Sequence, residues 1–359
     1  MRNRGFDILR AVAVGLVFCR HSGVPLAGRF GWVGVDLFFV LSGFLVAGLL
    51  FREYRETGCI NPWRFLLRRG CKIYPQFYFF IFATVVGRAL IGEPISHRAL
   101  AAELGFFQNY VVGLWGHTWS LAVEEHFYVL LAIALTLLAR LGGANPFRDL
   151  PQWITATCAL ILALRITAWL TCSRGGTDPL FGHIAPSHLR MDSLLMGVLL
   201  SYLHCFRAGE LAGFARRFGD WFPVASAALL APAGLLEQSS PLIYTLGFSM
   251  TAMAFSLVLL GVLYPKDPIG HGVFPRSLAR LGRVSYAFYL WHGPMLFLAD
   301  RLRLPAVAGI PLAFAGTLGL AFASTRLIED PCLRWRETFA RERCQSNSIG
   351  KAEAPCAAQ

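Results

Sequence analysis

The sequence predicts an all-α integral membrane protein of about ten spanning helices, with both termini in the cytoplasm. Three observations predict it. Hydrophobic residues fill 55% of the 359 positions and charged residues only 15%, against roughly 25% charged in a soluble domain. Mean hydropathy is +0.52, and apolar runs of bilayer length recur along the chain. The basic residues are distributed unevenly between alternate loops, as membrane orientation requires.

The runs fall near 7–26, 32–51, 73–92, 118–139, 152–171, 189–206, 221–236, 242–264, 284–300 and 306–328. With the N-terminus inside, 22 of the 33 Lys and Arg lie in inner segments. Seven lie in outer segments or outer span ends, and four (Arg10, Arg165, Arg190, Arg326) lie within spans. The excess of positive charge is thus read as topology, not as a nucleic-acid surface. The N-terminus MRNRGFDILR is basic and then apolar, without a clean small-residue cleavage site, so a retained first helix is expected. Residues 1–335 are expected to form the membrane domain, and 336–359, rich in Arg, Glu, Ser and Ala, a disordered cytoplasmic tail. The nine cysteines include no CxxC pair, so neither a disulfide framework nor a zinc site is expected.

The polar residues inside these runs carry the chemistry. His21 lies toward the outer end of the first span and Asp36 near the outer start of the second. HTWSLAVEEHFY places His117, Glu124 and Glu125 at the outer start of the fourth; HLRMDSLLMG places Arg190 and Asp192 at that of the sixth; YLWH places His292 in the ninth. Intramembrane charges are rare and face a cavity, a partner or a pathway. A shared depth on five spans points to one polar site on the outer side, rather than five separate ion pairs. On the inner side, NPWRFLLRRGCKIYP gathers Arg64, Arg68, Arg69 and Lys72 among aromatics. Such a run suits an interfacial helix on anionic lipid or a bound phosphate group. Gly31, Gly34, Gly43 and Gly48 are expected at close helix contacts.

In the first span, Arg10 and His21 are eleven residues apart. Eleven steps of about 100° bring them to one helix face, about 16 Å apart along the axis. That is roughly half the hydrocarbon thickness. Arg10 therefore reaches toward the inner surface while His21 faces the outer cluster. A neutral histidine near carboxylates can act as a general base; it can equally be an orienting hydrogen bond in a packed bundle.

These motifs resemble the acyltransferase-3 family of integral membrane acyltransferases. In order, the resemblance runs through GFDILRAVAVGLVFCRH, GVDLFFVLSGFL, LLRRGCKIYP, HTWSLAVEEHFYVL, HLRMDSLLMGVLL, LGRVSYAFYLWHGPML and RLIEDP. One such motif would be weak; seven in order are specific. Lys72 stands where the family often has arginine. The chain resembles the stand-alone form, without the SGNH hydrolase-like domain that some relatives carry. The resemblance implies transfer of an acyl group, usually acetyl, from cytoplasmic acyl-CoA to a hydroxyl of a surface or exported glycan or glycolipid, in the bacterial cytoplasmic membrane. It implies Arg10 and His21 as the functional pair, Glu124 as the glutamate of the TWSLxxE motif, and Arg69 and Lys72 as its basic element; on the inner side, Arg68, Arg69 and Lys72, with Arg10, are then expected to hold the phosphates of acyl-CoA. Asp36, His117, Glu125, Arg190, Asp192 and His292 are expected to form a supporting polar cluster. Acyl-CoA is then a co-substrate; no permanently bound cofactor and no metal are expected.

Several points stay open at this level. His21, oriented by Glu124 or Asp36, would deprotonate the acceptor hydroxyl, or would carry the acyl group as a covalent intermediate. Arg190 would stabilise an oxyanion or pair with Asp192. A transporter moving an anion or glycolipid through the same polar cavity is the competing class, although no internal repeat supports it. The acceptor and the oligomeric state are not legible.

Overall fold

The computed structural model describes residues 3–25, 27–172, 180–265 and 273–336. Among them there is no β-strand, and the chain is a bundle of helices. The principal ones are α1 (Arg4–Ser22), α2 (Ala27–Phe30), α3 (Val33–Thr57), α4 (Pro62–Leu90), α5 (His97–Leu104), α6 (Trp119–Leu141), α7 (Leu150–Cys172), α8 (Met191–Phe206), α9 (Ala208–Phe218), α10 (Phe222–Leu235), α11 (Phe248–Leu263), α12 (Val273–Arg283), α13 (Ser285–Arg301) and α14 (Ala306–Ser324). A π-helical turn, Thr325–Glu329, continues α14. Of the expected tail 336–359, Arg336 is described and continues the last helix; the rest lies outside the described residues.

All ten apolar runs fall on helices, but the helices differ in kind. Six described helices are long and apolar enough to cross a membrane, beginning at Val33, Pro62, Trp119, Leu150, Ile243 and Ala306. A seventh is reached if α8 and the α9–α10 segment, bent by 110°, count as one. The remaining runs fall short for definite reasons. Helix α1 carries Arg4, Asp7, Arg10 and Arg20, while α8, α10 and α13 have 16, 14 and 17 residues. The chain is an all-α multi-pass membrane protein.

Helix α3 is the centre of the bundle. Its VGVDLFFVLSGFLVAGLLF stretch buries residues on nearly every side, from Val33 to Phe51, as befits a helix surrounded by other helices. It packs most extensively on α8 and also on α1, α11 and α6. Small residues make the α3–α8 contact possible. A Cβ on Gly43 would lie 2.0 Å from the Leu194 carbonyl oxygen, and one on Gly197 would lie 2.2 Å from that of Val40. Gly31 and Gly34 admit the backbone of α1 in the same way, and Gly48 faces Ser201. Helix α12 crosses the start of α1 where Gly282 meets the Asp7 backbone.

The segment between α5 and α6 is tied down by one carboxylate. Glu103 Oε1 accepts from the Leu114 and Trp115 amides, at 3.0 and 3.3 Å, and from Thr118 Oγ1 at 2.8 Å. This bracket fixes the stretch that delivers His117. Burial pushes the Glu103 carboxyl up to about 7. The folded state therefore holds its proton more tightly than the unfolded state does. The resulting stabilisation is complete below the unfolded value near 4.5 and is lost as pH rises through about 7, an effect of order 3 kcal/mol. The thermal midpoint of the detergent-purified protein is expected to fall between about pH 5 and about pH 8. Glu103→Gln keeps an oxygen for the three donors and removes the titration, so its midpoint should stay level. Parallel pH slopes for the two proteins would refute this assignment.

Candidate functional site

Two cavities lie along α1, one beside Arg10 and one beside His21. The first holds Arg10, Arg69, Lys72 and Arg283 together with Glu124, Glu125, Glu329, Ser42 and Tyr128. The second, about 670 Å³, holds His21, His117, His292, Arg20, Arg190 and Gln238, with Trp32, Trp115, Trp119 and Phe248 in its walls. Val35 lines both. Helical phase accounts for this arrangement: Arg10 and His21 share one face of α1 and open into different chambers.

In the Arg10 cavity, one hydroxyl organises the polar groups. Tyr128 donates to Glu124 Oε2 and accepts from Arg69 Nη2 at 2.7 Å, while Ser42 Oγ lies 2.6 Å away. The Arg69 guanidinium stacks 4.5 Å over the Tyr128 ring. Tyr74 donates to Glu125 at 3.0 Å, and Lys72 faces Glu329 at 3.8 Å. The Arg10 charge acts on Glu124 and lies 3.8 Å from Asp7. Four cations thus surround three carboxylates in a partly enclosed chamber.

In the His21 cavity, three imidazoles stand together. His21 and His292 ring centroids are 5.0 Å apart, His117 and His292 4.5 Å, and His21 and His117 6.2 Å. His292 Nε2 lies 3.1 Å from His21 Nδ1, which also faces the Val17 carbonyl at 3.0 Å. Tyr289 joins the two chambers. It lines the Arg10 cavity, donates to the His117 carbonyl at 2.6 Å and contacts Ser120 Oγ at 2.6 Å. Pro294, inside α13, lacks the N–H that would bind the Leu290 carbonyl, and His117 bonds that carbonyl instead. Gly293 leaves room for the His117 ring, since a Cβ there would lie 2.5 Å from it.

Several expectations need correction. Glu124 and Glu125 do not join the histidines; they face the Arg10 cavity. Helix α6 starts at Trp119, so five residues carry the chain about 7.5 Å further along its axis. Neither Glu124 nor Asp36 orients His21, whose Nδ1 meets a backbone carbonyl and a second histidine. Arg190 pairs with Asp36, at 2.8 Å, and not with Asp192. Asp192 pairs instead with Arg165 at 2.6 Å. Asp36 and Asp192 line neither cavity. Arg68 is exposed and outside the cavity lining, its carbonyl within 3.5 Å of the Arg336 guanidinium.

Sequence reasoning missed Tyr128, Ser42, Arg283, Glu329, Tyr289 and Arg165. Some signals were available. Tyr128 stands four residues after Glu124, on the same helix face. A lone arginine in the apolar run of α7 needs an acidic partner.

The chain is 27% identical over 352 residues to the O-acetyltransferase OatA of Staphylococcus aureus strain NCTC 8325 / PS 47, an alignment covering 91% of this chain and 56% of that protein. It is 24% identical over 369 residues to the putative O-acetyltransferase SAR0937 of S. aureus strain MRSA252, covering 93% of this chain and 59% of that protein. The chain thus spans somewhat more than half the length of the curated relatives it matches. No solved structure matches it. A family model described as an acyltransferase domain matches residues 3–326, which include every residue lining the two cavities except Glu329, and on that match the chain belongs to the acyltransferase-3 family.

Proposed function

We propose that this protein is an O-acyltransferase of the bacterial cytoplasmic membrane, moving an acetyl group from cytoplasmic acetyl-CoA to a hydroxyl of a glycan or glycolipid. One observation carries the reading: a single helix lines a cationic chamber with Arg10 and a histidine- and tryptophan-walled chamber with His21. The two ends suit the two substrates. Arg69, Lys72, Arg283 and Arg10 suit the phosphates of a CoA ester. The chamber is narrow, about 110 Å³, so a thioester arm enters while the nucleotide stays at its rim. The larger chamber presents Trp32, Trp115 and Trp119, whose flat apolar faces suit the C–H faces of a sugar ring, with Arg20 and Gln238 as polar contacts. The excess of Lys and Arg in the segments read as inner supports a cytoplasmic Arg10 cavity.

In this reading His21 is the general base. It takes the proton of the acceptor hydroxyl, whose oxygen forms the ester bond to the acyl carbon. The carbon–sulfur bond breaks, and the proton passes to the departing CoA thiolate. Glu124 and Tyr128 hold Arg69 in place beneath.

The test uses the full chain in lipid nanodiscs with [14C]acetyl-CoA and N-acetylchitotetraose as the acceptor probe. Ester-linked acetyl on the oligosaccharide is expected. Lys72→Gln should raise KM for acetyl-CoA about tenfold or more, the share of one charge-assisted contact, with little change for acetyl-pantetheine, which lacks the nucleotide phosphates. Vesicles that accumulate acetate or oligosaccharide without forming any ester would instead support a transporter.

A further inference from the structure

Two of the three imidazoles, His21 and His292, sit in a fixed order of hydrogen-bond acceptors, and that order assigns where their hydrogens lie. A backbone carbonyl only accepts, and a neutral imidazole donates through one nitrogen and accepts through the other. His292 Nδ1 lies 2.6 Å from the Tyr289 carbonyl oxygen, so Nδ1 carries the hydrogen and Nε2 presents its lone pair. That lone pair lies 3.1 Å from His21 Nδ1, which also faces the Val17 carbonyl. Both neighbours of His21 Nδ1 are therefore acceptors. His21 carries its hydrogen on Nδ1, shared between the two, and its Nε2 is left as the free base.

We infer that His292 is a positioning residue for His21: its Nε2 accepts from His21 Nδ1, aims the ring, and holds the imidazolium that forms when Nε2 takes the acceptor's proton. This rests on the reading of His21 as the base. The position of His292 is itself over-determined. It is 1% exposed, and its Nδ1 is anchored one helical turn back on α13, at Tyr289. The His117 ring packs 4.5 Å away in the space Gly293 leaves. The Val17 carbonyl alone keeps the hydrogen on Nδ1, but it sits on the same helix as His21, one turn back, and cannot fix the ring against an element across the cavity. His292 can, because it comes from α13. When His21 becomes an imidazolium, its Nδ1–H bond to His292 becomes charge-assisted and strengthens. The stabilisation is thus larger after proton transfer than before it, which is what accelerates a step. A neutral histidine fills the place that a carboxylate takes in the serine–histidine–aspartate arrangement, without leaving an unpaired charge in an apolar surround.

Three replacements separate this role from packing. His292→Leu removes the acceptor. His292→Asn keeps an amide near Nδ1, able to bond the Tyr289 carbonyl, but does not reach His21. His292→Gln places an oxygen near Nε2 and restores an acceptor. In the nanodisc assay with acetyl-CoA and N-acetylchitotetraose, His292→Leu and His292→Asn are expected to lower kcat by about 10–100-fold, the weight of one hydrogen bond to a charged group, with KM for both substrates within about twofold. His292→Gln is expected to recover most of the loss. Equal kcat for Gln and Leu variants, or full kcat in the Leu variant, overturns the inference. A second measurement needs neither substrate nor variant. In the 15N-histidine-labelled full chain, a through-hydrogen-bond 15N–15N coupling is expected between His21 Nδ1 and His292 Nε2. Absence of that coupling overturns the inference whatever the acceptor is. A coupling without ester formation on any acceptor retains the contact and overturns only the function assigned to it.

Discussion

Replacing His21 with alanine is expected to lower acetyl transfer by about 10²–10⁴-fold, the range of a lost general base, while the protein still folds. The two halves of that expectation have separate grounds. His21 sits in the last turn of α1, ahead of the left-handed Gly23 that ends the helix, and its ring opens into the larger cavity. Its polar contacts are with Val17 in its own helix and with His292. Truncating it removes about one net hydrogen bond, worth about 1 kcal/mol, and leaves space that water already reaches. The chemistry loses much more. No described carboxylate reaches the position of His21 Nε2, because Glu124 is bound by Tyr128 in the other chamber and Asp36 is held by Arg190 and Ser193. His117 bonds the Leu290 carbonyl and its remaining ring nitrogen, Nε2, is buried, and His292 presents its free nitrogen to His21. The measurement is initial acetyl transfer at saturating acetyl-CoA, beside size-exclusion behaviour and thermal midpoint in the same detergent. A His21→Ala protein that transfers at more than a tenth of the normal rate would sink the role of His21. A protein that aggregates would instead show that the ring is structural.

The helices were legible because bilayer length and apolarity are local properties, and each of the ten apolar runs lies on a helix. The glycine contacts of α3 were legible for a similar reason, since small residues at helical spacing mark close approach. The pairing of charges was not. Arg190 and Asp192 are two residues apart, and proximity in sequence suggested a pair. Arg190 precedes α8 in a turn while Asp192 lies in its first turn, and each finds its partner on a different helix: Arg190 on α3 and Asp192 on α7. The depth of Glu124 was misjudged because a motif read as one unit, HTWSLAVEEHFY, runs from a loop into a helix. Its histidine and its glutamates enter different chambers. The Arg10–His21 geometry, by contrast, needed only the pitch of a helix. Contacts between helices distant in sequence, such as His21 with His292, leave no local trace at all.

The same buried pairs give the largest expected effect on stability. Arg165 and Arg190 are each 1% exposed and rank among the bulkiest fully buried side chains. Between them lies the ring of Phe248, 5.7 Å from the Arg165 guanidinium carbon and 3.7 Å from that of Arg190. Two ion pairs, Arg165–Asp192 and Arg190–Asp36, thus fasten α7, α3 and α8 around one aromatic, with Ser249 bridging to Asp192 at 3.0 Å and Ser193 to Asp36 at 2.8 Å. Replacing Arg165 with methionine keeps most of the volume but strips the Asp192 carboxylate of its direct ion-pair partner, leaving it the Ser249 hydroxyl and the more distant Arg190 charge, itself paired with Asp36. Removing one member of a buried pair costs about 3–5 kcal/mol, because the remaining charge is stranded. The double replacement Arg165→Met with Asp192→Leu strands nothing, and swaps of this kind are often close to neutral. The expected result is therefore non-additive: the double variant is more stable than the single Arg165→Met variant, although it carries one more change. Unfolding in a graded mixture of mild detergent and SDS, followed by tryptophan fluorescence, reads both. A single variant within about 1 kcal/mol of the starting protein would mean that Asp192 is neutral in the bundle or reaches water, since a stranded carboxylate cannot be that cheap. A double variant no better than the single would place the cost in packing around Phe248 and not in the unpaired charge.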